Sequence, residues 1–484
     1  MADARFLRLP MHALKNGTWL EQLRATWLRG EVGLVLVEPE ASDDSELRDA
    51  IATMLASNGS YARGDRAVIH ARPAALEMGC ETAVQLRAMG IEATVVFGMG
   101  ALGREVSVLI EAALAAARRA GKGVEKPAPA RGDESIRWDE IDPAVIEGVA
   151  ACYQELLQPF EKTGRGHWIV PIGTAPDPDP VHVPAIDLLM KVAGRGLAPI
   201  GPMRNDGRIV SHDIWLCPSP LDVERLNEGL PAERHWTLDE WRSIMFRSMA
   251  VGADALRRLA MEIEGVQLTI HASRKGGVLH YAREDGTDFT YRVEGRPVIL
   301  DCGAVGTNSL GETTPYRSAI TNQPTTEVFV APIEDSMNGV IVYTQPQRTV
   351  HGVIHAPYRI ETRAGRVVEV SAPDADSLRI LRNYTGLEPY DRKALAGIEA
   401  EAFTLRQVIA EAAIAGFNPA MLPEIRNSRL RPVTGLVLTD EKLGDHQAFG
   451  SNDQFMGATP SSTGGEHVEH TDFVGSIERA MKLR

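Results

Sequence analysis

The sequence contains few cysteines, and none of them is spaced as in a metal-binding or redox motif. Four occur in 484 residues, and no CxxC pair is present. They are Cys80, Cys152, Cys217 and Cys302. Isolated cysteines in a long chain are typical of buried thiols in a reducing compartment. The sequence therefore argues against a cysteine-based zinc module and against a disulfide-stapled secreted domain.

Long apolar runs and an excess of positive charge are also missing. No stretch of 18 apolar residues occurs, and the first residues, MADARFLRLPMHAL, lack the apolar core of a signal peptide. Lys and Arg total 51 against 65 Asp and Glu, which gives a net charge of −14. Because phosphate binding requires clustered positive charge, this composition argues against nucleic-acid and membrane partners. We expect a cytoplasmic protein.

The first 120 residues alternate short apolar runs with segments of helical periodicity. The runs VGLVLV, AVIHA and ATVVF are separated by predicted helices over residues 46–56 and 81–89, and a further helix is predicted over 105–120. Uninterrupted apolar strands spaced by amphipathic helices indicate a parallel sheet covered on both faces. The fold class predicted for the N-terminal region is therefore α/β with a parallel sheet.

The chain is too long for one ordinary core, and its character changes along its length. Residues 123–138 are rich in proline, glycine and charge, as in a linker, and alternating strand patterns dominate from about residue 266 to 370. Long helices are predicted over 241–264 and 395–415. We predict an α/β domain over 1–122, a linker over 123–138, a second α/β part over 139–262, and a mostly β, α+β metal-binding catalytic domain over 263–484.

Histidines and acids are densest near the C-terminus, in the segment EHVEHTDF. On a strand, positions i and i+2 share a face, so His470 and Asp472 are expected to point the same way. His446, in DHQAFG, adds a second imidazole. Two histidines and one carboxylate are the minimal facial set for non-haem iron and part of many hydrolytic sites. The alternative is a solvated polar strand or turn.

Two further acids stand in apolar surroundings. Glu327 begins the hydrophobic segment EVFVAP, and Glu411 is the one charge in VIAEAAIAG. A buried carboxylate is costly without a partner, and metal ligation would remove that cost. The structural alternatives are a surface acid on an edge strand for Glu327 and the polar stripe of a helix for Glu411.

Other histidines are interpreted as structural. His351 and His355 lie four apart in VHGVIHAPYRIE, where a half-exposed pair on a strand is the favoured interpretation. Histidines beside apolar strands are more often satisfied core residues than ligands. This second group comprises His70, His182, His212 and His271.

Four phrases occur in an order that resembles the thermophilic aminopeptidase family (aminopeptidases T and S). They are NQPTTEVFVAP, IAEAAIAGFNP, the His-x-Ala-x-Gly phrase HQAFG and the phrase HTDFVGS. The resemblance extends over roughly residues 286–476, and over the first 240 residues it is limited to general α/β character.

The resemblance implies a two-metal site and a homodimer. The residues implied as ligands are Glu327, Glu411, His446, His470 and Asp472. The implied cofactors are divalent cations, one or two per chain, from among zinc, cobalt, manganese and iron. The family has a ligand tyrosine shortly after the His-x-Ala-x-Gly phrase, and this sequence has Asn452 or Asp453 near that place.

We therefore expect a metal-dependent, aminopeptidase-like hydrolase. Its substrate would be a short peptide or small molecule with an amide or related C–N bond, and Glu411 is the candidate general base. One alternative is an Fe(II) dioxygenase that opens a hydroxylated pyridine or aromatic ring, since the resemblance extends to 2,5-dihydroxypyridine dioxygenase; its facial triad would be His446, His470 and Asp472. That relative has histidine in place of Glu411, which favours the hydrolase. A structural metal in a binding module is the third interpretation and predicts a closed four-ligand site.

Overall fold

The computed structural model of the chain divides into two compact units, one drawn almost wholly from residues before Pro218 and the other from residues after Cys217. The structure describes residues 6–15, 34–58, 60–97, 143–163, 165–174, 196–197, 199–250, 276–295, 298–301, 320–323, 327–330, 332–349, 352–385, 387, 409–415, 445–449, 471–474 and 481–483. The predicted division into four segments remains a prediction.

The first unit contains a mainly parallel sheet. Its strands are β1 (Phe6–Pro10), β2 (Leu34–Glu38), β3 (Arg66–Ala71), β4 (Glu92–Phe97), β5 (Gly166–Gly173) and β6 (Ile209–Cys217). They are hydrogen-bonded in the order β1-β2-β4-β3-β5-β6. Only the β2–β4 pair among them is antiparallel. The predicted α/β region with a parallel sheet is confirmed.

Helices alternate with these strands. They are α1 (Met11–Lys15), α2 (Ser45–Asn58), α3 (Leu76–Ala88), α4 (Pro143–Thr163) and α5 (Ile200–Asn205). Gly79 lets α3 pack closely on the sheet, because a Cβ at this position would lie 2.7 Å from the Cβ of Ala71 in β3. The helices predicted over 46–56 and 81–89 are confirmed, with the second beginning earlier. The helix predicted over 105–120 and the linker over 123–138 lie outside the described residues.

A buried polar network joins the amino ends of three neighbouring strands. The carboxylate of Asp65 accepts a hydrogen bond from Arg165 Nε at 2.7 Å and lies 2.9 Å from Nε2 of His167. His167 Nδ1 lies 3.1 Å from Ser211 Oγ, which donates to Asp213 at 2.9 Å. Burial raises the pKa of Asp65, but the hydrogen bonds from Arg165 and His167 outweigh it, so the net pKa is lowered. The carboxylate therefore remains charged and fixes the ends of the strands.

Two predicted structural histidines lie in this sheet. His70 Nε2 lies 2.9 Å from the hydroxyl of Tyr153, as expected of a satisfied histidine. His212 Nδ1 is buried and has no hydrogen-bond partner among the described residues. Burial, with smaller contributions from Arg72 and Arg204 respectively, lowers the pKa of each histidine to about 3. Both are therefore neutral at neutral pH. His182 and His271 lie outside the described residues.

The second unit is mostly antiparallel β structure. Its helices are α6 (Pro220–Asn227), α7 (Leu238–Met249) and α8 (Ala375–Tyr384). Its strands are β7 (Val278–Ala282), β8 (Asp288–Arg292), β9 (Val298–Asp301), β10 (Ile320–Gln323), β11 (Glu327–Val330), β12 (Asn338–Tyr343), β13 (Gln347–Thr349), β14 (Gly352–Ile354), β15 (Tyr358–Arg363), β16 (Arg366–Ser371), β17 (Ile409–Ala415), β18 (Asp445–Phe449), β19 (Thr471–Val474) and β20 (Met481–Leu483).

Two antiparallel sheets organise this unit. One has five strands in the order β19-β18-β17-β11-β9, and the other has six in the order β16-β15-β12-β8-β7-β20. The core of the six-stranded sheet is aromatic: Tyr281 stacks on Phe289 with ring centroids 4.7 Å apart, and Tyr343 stacks on Tyr358 at 4.8 Å. Phe449 of β18 belongs to the same core. The predicted mostly β C-terminal region is confirmed.

The helix predicted over 395–415 is wrong at its C-terminal end. Residues 409–415 form strand β17, which pairs with β11 on one side and β18 on the other. An alanine-rich segment favours a helix intrinsically, but hydrogen bonding between two strands overrides that weak preference. Residues 395–408 lie outside the described residues, as do 251–264 of the other long predicted helix, which is confirmed up to Met249.

Within the described ranges, no helix is both long and apolar enough to cross a bilayer. Cys80 and Cys152 are buried, and Cys217 is partly exposed. Cys302 lies outside the described residues.

Gly339 in β12 gives a test of close packing in the six-stranded sheet. Its φ is +125°, and a Cβ there would lie 2.2 Å from the backbone oxygen of Asp288. We expect Gly339→Ala to lower the free energy of unfolding by more than about 3 kcal/mol, because backbone strain and a steric clash add. Gly276, at φ +106° with nothing within 4 Å of a Cβ, is the matched control. Equal losses in the two variants, measured by urea unfolding, would contradict the steric explanation.

Acid should destabilise the first unit through its buried neutral histidines. Folding lowers the pKa of His70 and His212 to about 3 from an ordinary value of 6.5. Between these values the unfolded chain binds protons that the folded chain does not, so stability falls as the pH drops below about 6.5. At pH 5 the expected loss is about 2 kcal/mol per histidine.

Urea unfolding of the wild type and of His70→Asn at pH 7.5 and 5 measures this loss. The variant should have a smaller difference between the two pH values. The exposed His12, replaced in the same way, serves as the control. If the free energy of unfolding of His70→Asn depended on pH as much as that of wild type, the explanation would be contradicted.

Candidate metal centre

Strand β18 is fixed to the core of the second unit by one of its faces. Phe449 is 1% exposed and lies within the aromatic core. Gln447, on the same face, accepts a hydrogen bond from the Tyr343 hydroxyl at 3.3 Å. Burial raises the pKa of Tyr343, so its hydroxyl remains a donor. His446 alternates with Gln447 and lies on the opposite face, also only 1% exposed. The position of this imidazole is therefore set by its anchored neighbours.

The register of the five-stranded sheet brings two predicted ligand positions to the face of His446. Glu411 of β17 pairs with Ala448, and Ala448 pairs with Asp472 of β19. Directly paired residues share a face, and Ala448 is two residues from His446. Positions 411 and 472 are therefore diagonal neighbours of position 446, one on each side, at about 7–8 Å.

Glu327 of β11 lies on the same face. It pairs with Ala415, which is four residues from Glu411 along β17 and so has the same facing. Ala413, which pairs with His446, lies midway between them. Four of the five predicted ligands, from four consecutive strands, are therefore positioned on one face of one sheet.

Sequence reasoning missed the small residues between these positions. Alanines stand opposite the predicted ligands: Ala413 opposite His446, Ala415 opposite Glu327, and Ala448 opposite both Glu411 and Asp472. An alanine side chain ends at Cβ, so these positions add little bulk between the ligands. The alanines in IAEAAIA and HQAF were the available signal.

A bulge in β17 marks the edge of this face. The register shifts between Ile409, which pairs with Phe449, and Glu411, which pairs with Ala448. An extra residue in one strand reverses the alternation. Ile409 is therefore aligned with the core face, and Glu411 with the face of His446.

The remaining predictions for the site differ in outcome. His470 lies outside the described residues, so its place beside Asp472 stays a prediction. His355 is exposed and directly follows β14 rather than lying in a strand. His351 lies outside the described residues, so the predicted pair on a strand stays a prediction. Positions 327, 411 and 472 are described by their backbone; among the described side chains, no cluster of three or more His, Cys, Asp or Glu occurs.

The chain resembles known proteins in part of its sequence and in its fold. Residues 267–381, which include Glu327, match the family model of the thermophilic metalloproteases (M29). The solved structure of wild-type AmpT from Thermus thermophilus is similar over 90% of this chain and 94% of that chain, with a TM-score of 0.54 and 19% sequence identity. At this identity the likeness concerns the fold. A comparison with curated proteins finds no match. The resemblance predicted from the sequence is confirmed by the family match, and the chain is a metallohydrolase related to the thermophilic metalloproteases.

Proposed function

We propose that the protein is an aminopeptidase-like hydrolase that uses divalent metal to cleave an amide or related C–N bond in a short peptide or small molecule. The observation on which this rests is the register that aligns Glu327, Glu411, His446 and Asp472 on one face of the five-stranded sheet. The match of residues 267–381 to a metalloprotease family supports it.

The donor set fits a divalent cation. Three carboxylates and an imidazole suit zinc, manganese, cobalt or iron. Three acids on one face repel one another, and a cation removes that repulsion. The buried imidazole of His446 belongs to the same face, which distinguishes this set from a solvated acidic surface. One or two cations per chain are compatible with four to five ligands.

The chain's residues divide into two roles in this proposal. Glu327, Glu411, His446 and Asp472 would hold the metal, together with His470, and Glu411 has the second role as well. When bound, the metal supplies Lewis acidity to the substrate carbonyl and to the attacking water. Glu411 accepts the proton of that water and returns it to the nitrogen of the leaving amine. This proton transfer is what allows the C–N bond to break without releasing an amide anion.

The acidic net charge and the family resemblance also support proposals about the partners, the localisation and the oligomeric state of the protein. With a net charge of −14, the protein repels nucleic acid and anionic membranes, and small substrates are its partners. We propose a cytoplasmic homodimer, and sedimentation of the purified protein tests the dimer.

Removing the metal should abolish activity. We expect chelation to stop hydrolysis of dipeptides or aminoacyl anilides, and zinc, cobalt or manganese to restore it, because the carbonyl then regains its polarisation. Initial rates, together with elemental analysis of metal per chain, measure this. Full turnover by metal-free protein would end the proposal. Turnover that stops when oxygen is removed would favour the ring-opening dioxygenase instead.

Replacing a ligand histidine should reduce activity while leaving the protein folded. We expect His446→Ala and His470→Ala each to reduce kcat/KM by at least about 100-fold, because each removes a metal donor. His280→Ala is the matched control: His280 is also buried, at 4% exposure, but lies in the six-stranded sheet and bonds Asp288 at 2.6 Å. Circular dichroism verifies that the variants fold. Wild-type activity in either ligand variant would contradict the assignment.

A further inference from the structure

An additional acid lies on the face of His446, outside every motif identified in the sequence. Asp301 is the last residue of β9 and pairs directly with Glu327. Residues paired across an antiparallel ladder share a face and have Cβ atoms about 4.5–5.5 Å apart. The carboxylate-bearing positions 301 and 327 are therefore closer to each other than any two of the described positions 327, 411, 446 and 472 are.

Like charges placed directly opposite one another destabilise a sheet unless something neutralises them. The described residues of β9, β11, β17, β18 and β19 include no lysine or arginine. Among the described positions, those next to this pair on the same face are Ile299, Phe329 and Ala415, none of them basic. The described residues of the five-stranded sheet therefore provide no lysine or arginine to offset this pair.

The six-stranded sheet contains an instructive counterpart. Glu361 of β15 pairs with Glu369 of β16 in the same antiparallel manner. There, Arg363 and Arg359 lie 2.9 Å and 3.4 Å from Glu361, and Glu369 is exposed to water. This pair is neutralised by neighbouring arginines and by solvent. In the part of the five-stranded sheet that the structure describes, no such arginine stands beside Asp301 and Glu327.

We propose that Asp301 is a further carboxylate of the metal centre, acting on the same divalent cation as Glu327. This inference rests on the proposed function, because it requires a cation at that face. It assigns to β9 a role that neither the family phrases nor the segment around Asp301 indicates. The expected consequence is specific: Asp301 weakens the metal-free fold and strengthens the metal-bound one.

The test compares wild type with Asp301→Asn by titrating zinc into metal-free protein in a calorimeter and by melting both forms. We expect Asp301→Asn to bind zinc about 10- to 100-fold more weakly. The melting temperature of its metal-free form should rise by roughly 1–3 °C, since a repulsion is removed. The stabilisation produced by saturating zinc should shrink.

Two further variants keep the result interpretable. Glu369→Gln relieves the other like-charge pair and lowers the negative charge equally, so its zinc affinity should equal that of wild type. Asp301→Glu keeps the carboxylate, so its zinc affinity should be closer to that of wild type than the affinity of Asp301→Asn is. This variant tests the role of the carboxylate even where Asp301→Asn folds poorly.

The outcomes separate this inference from the proposed function. Wild type that binds no divalent cation overturns both. Wild type that binds zinc while Asp301→Asn binds it equally well overturns the role of Asp301 alone. Equal weakening in Glu369→Gln would show a general charge effect and would also overturn it.

Discussion

The alternation of side chains along β18 is the constraint on which the candidate site depends. Residues on one face of this strand are fixed in the aromatic core, through Phe449 and the hydrogen bond between Gln447 and Tyr343. The intervening His446 is then forced to the other face, where the pairing of β17, β18 and β19 aligns Glu411 and Asp472 beside it. Core packing, rather than any local motif, therefore determines where the imidazole lies.

Local patterns predicted β2, β3 and β4 of the first unit because these strands are largely buried. Four successive residues of β2, 34–37, are almost inaccessible to solvent, and continuous apolar runs of this kind are recognisable without tertiary information. The antiparallel β2–β4 pair was not predictable, since strand direction depends on the connections between strands. The assignment of 409–415 to a helix failed for a related reason: alanine propensity is local, and the pairing partners of β17 are distant in sequence.

The sequence predicted which residues belong to the candidate site better than it predicted their arrangement in space. Glu327 and Glu411 were identified as carboxylates in apolar segments, and Asp472 by the density of acids and histidines around it. The family resemblance placed them in one site with His446. That these positions share a face could not be derived, because their order in the sheet depends on pairings between distant segments, from 22 residues apart for Phe449 and Thr471 to 88 for Glu327 and Ala415. Asp301 escaped notice because its segment, VILD, resembles the end of any core strand, and only its register with Glu327 gives it meaning.

The bulge in β17 has a consequence for how this sheet evolves. The extra residue at the bulge aligns Ile409 with the core face of the sheet. Glu411, two positions later, is aligned with the face of His446. Substitutions here alter one environment at a time, but gain or loss of a single residue would exchange the two faces for the rest of the strand. Homologous chains should therefore tolerate substitutions in β17 but not the insertion or deletion of a residue.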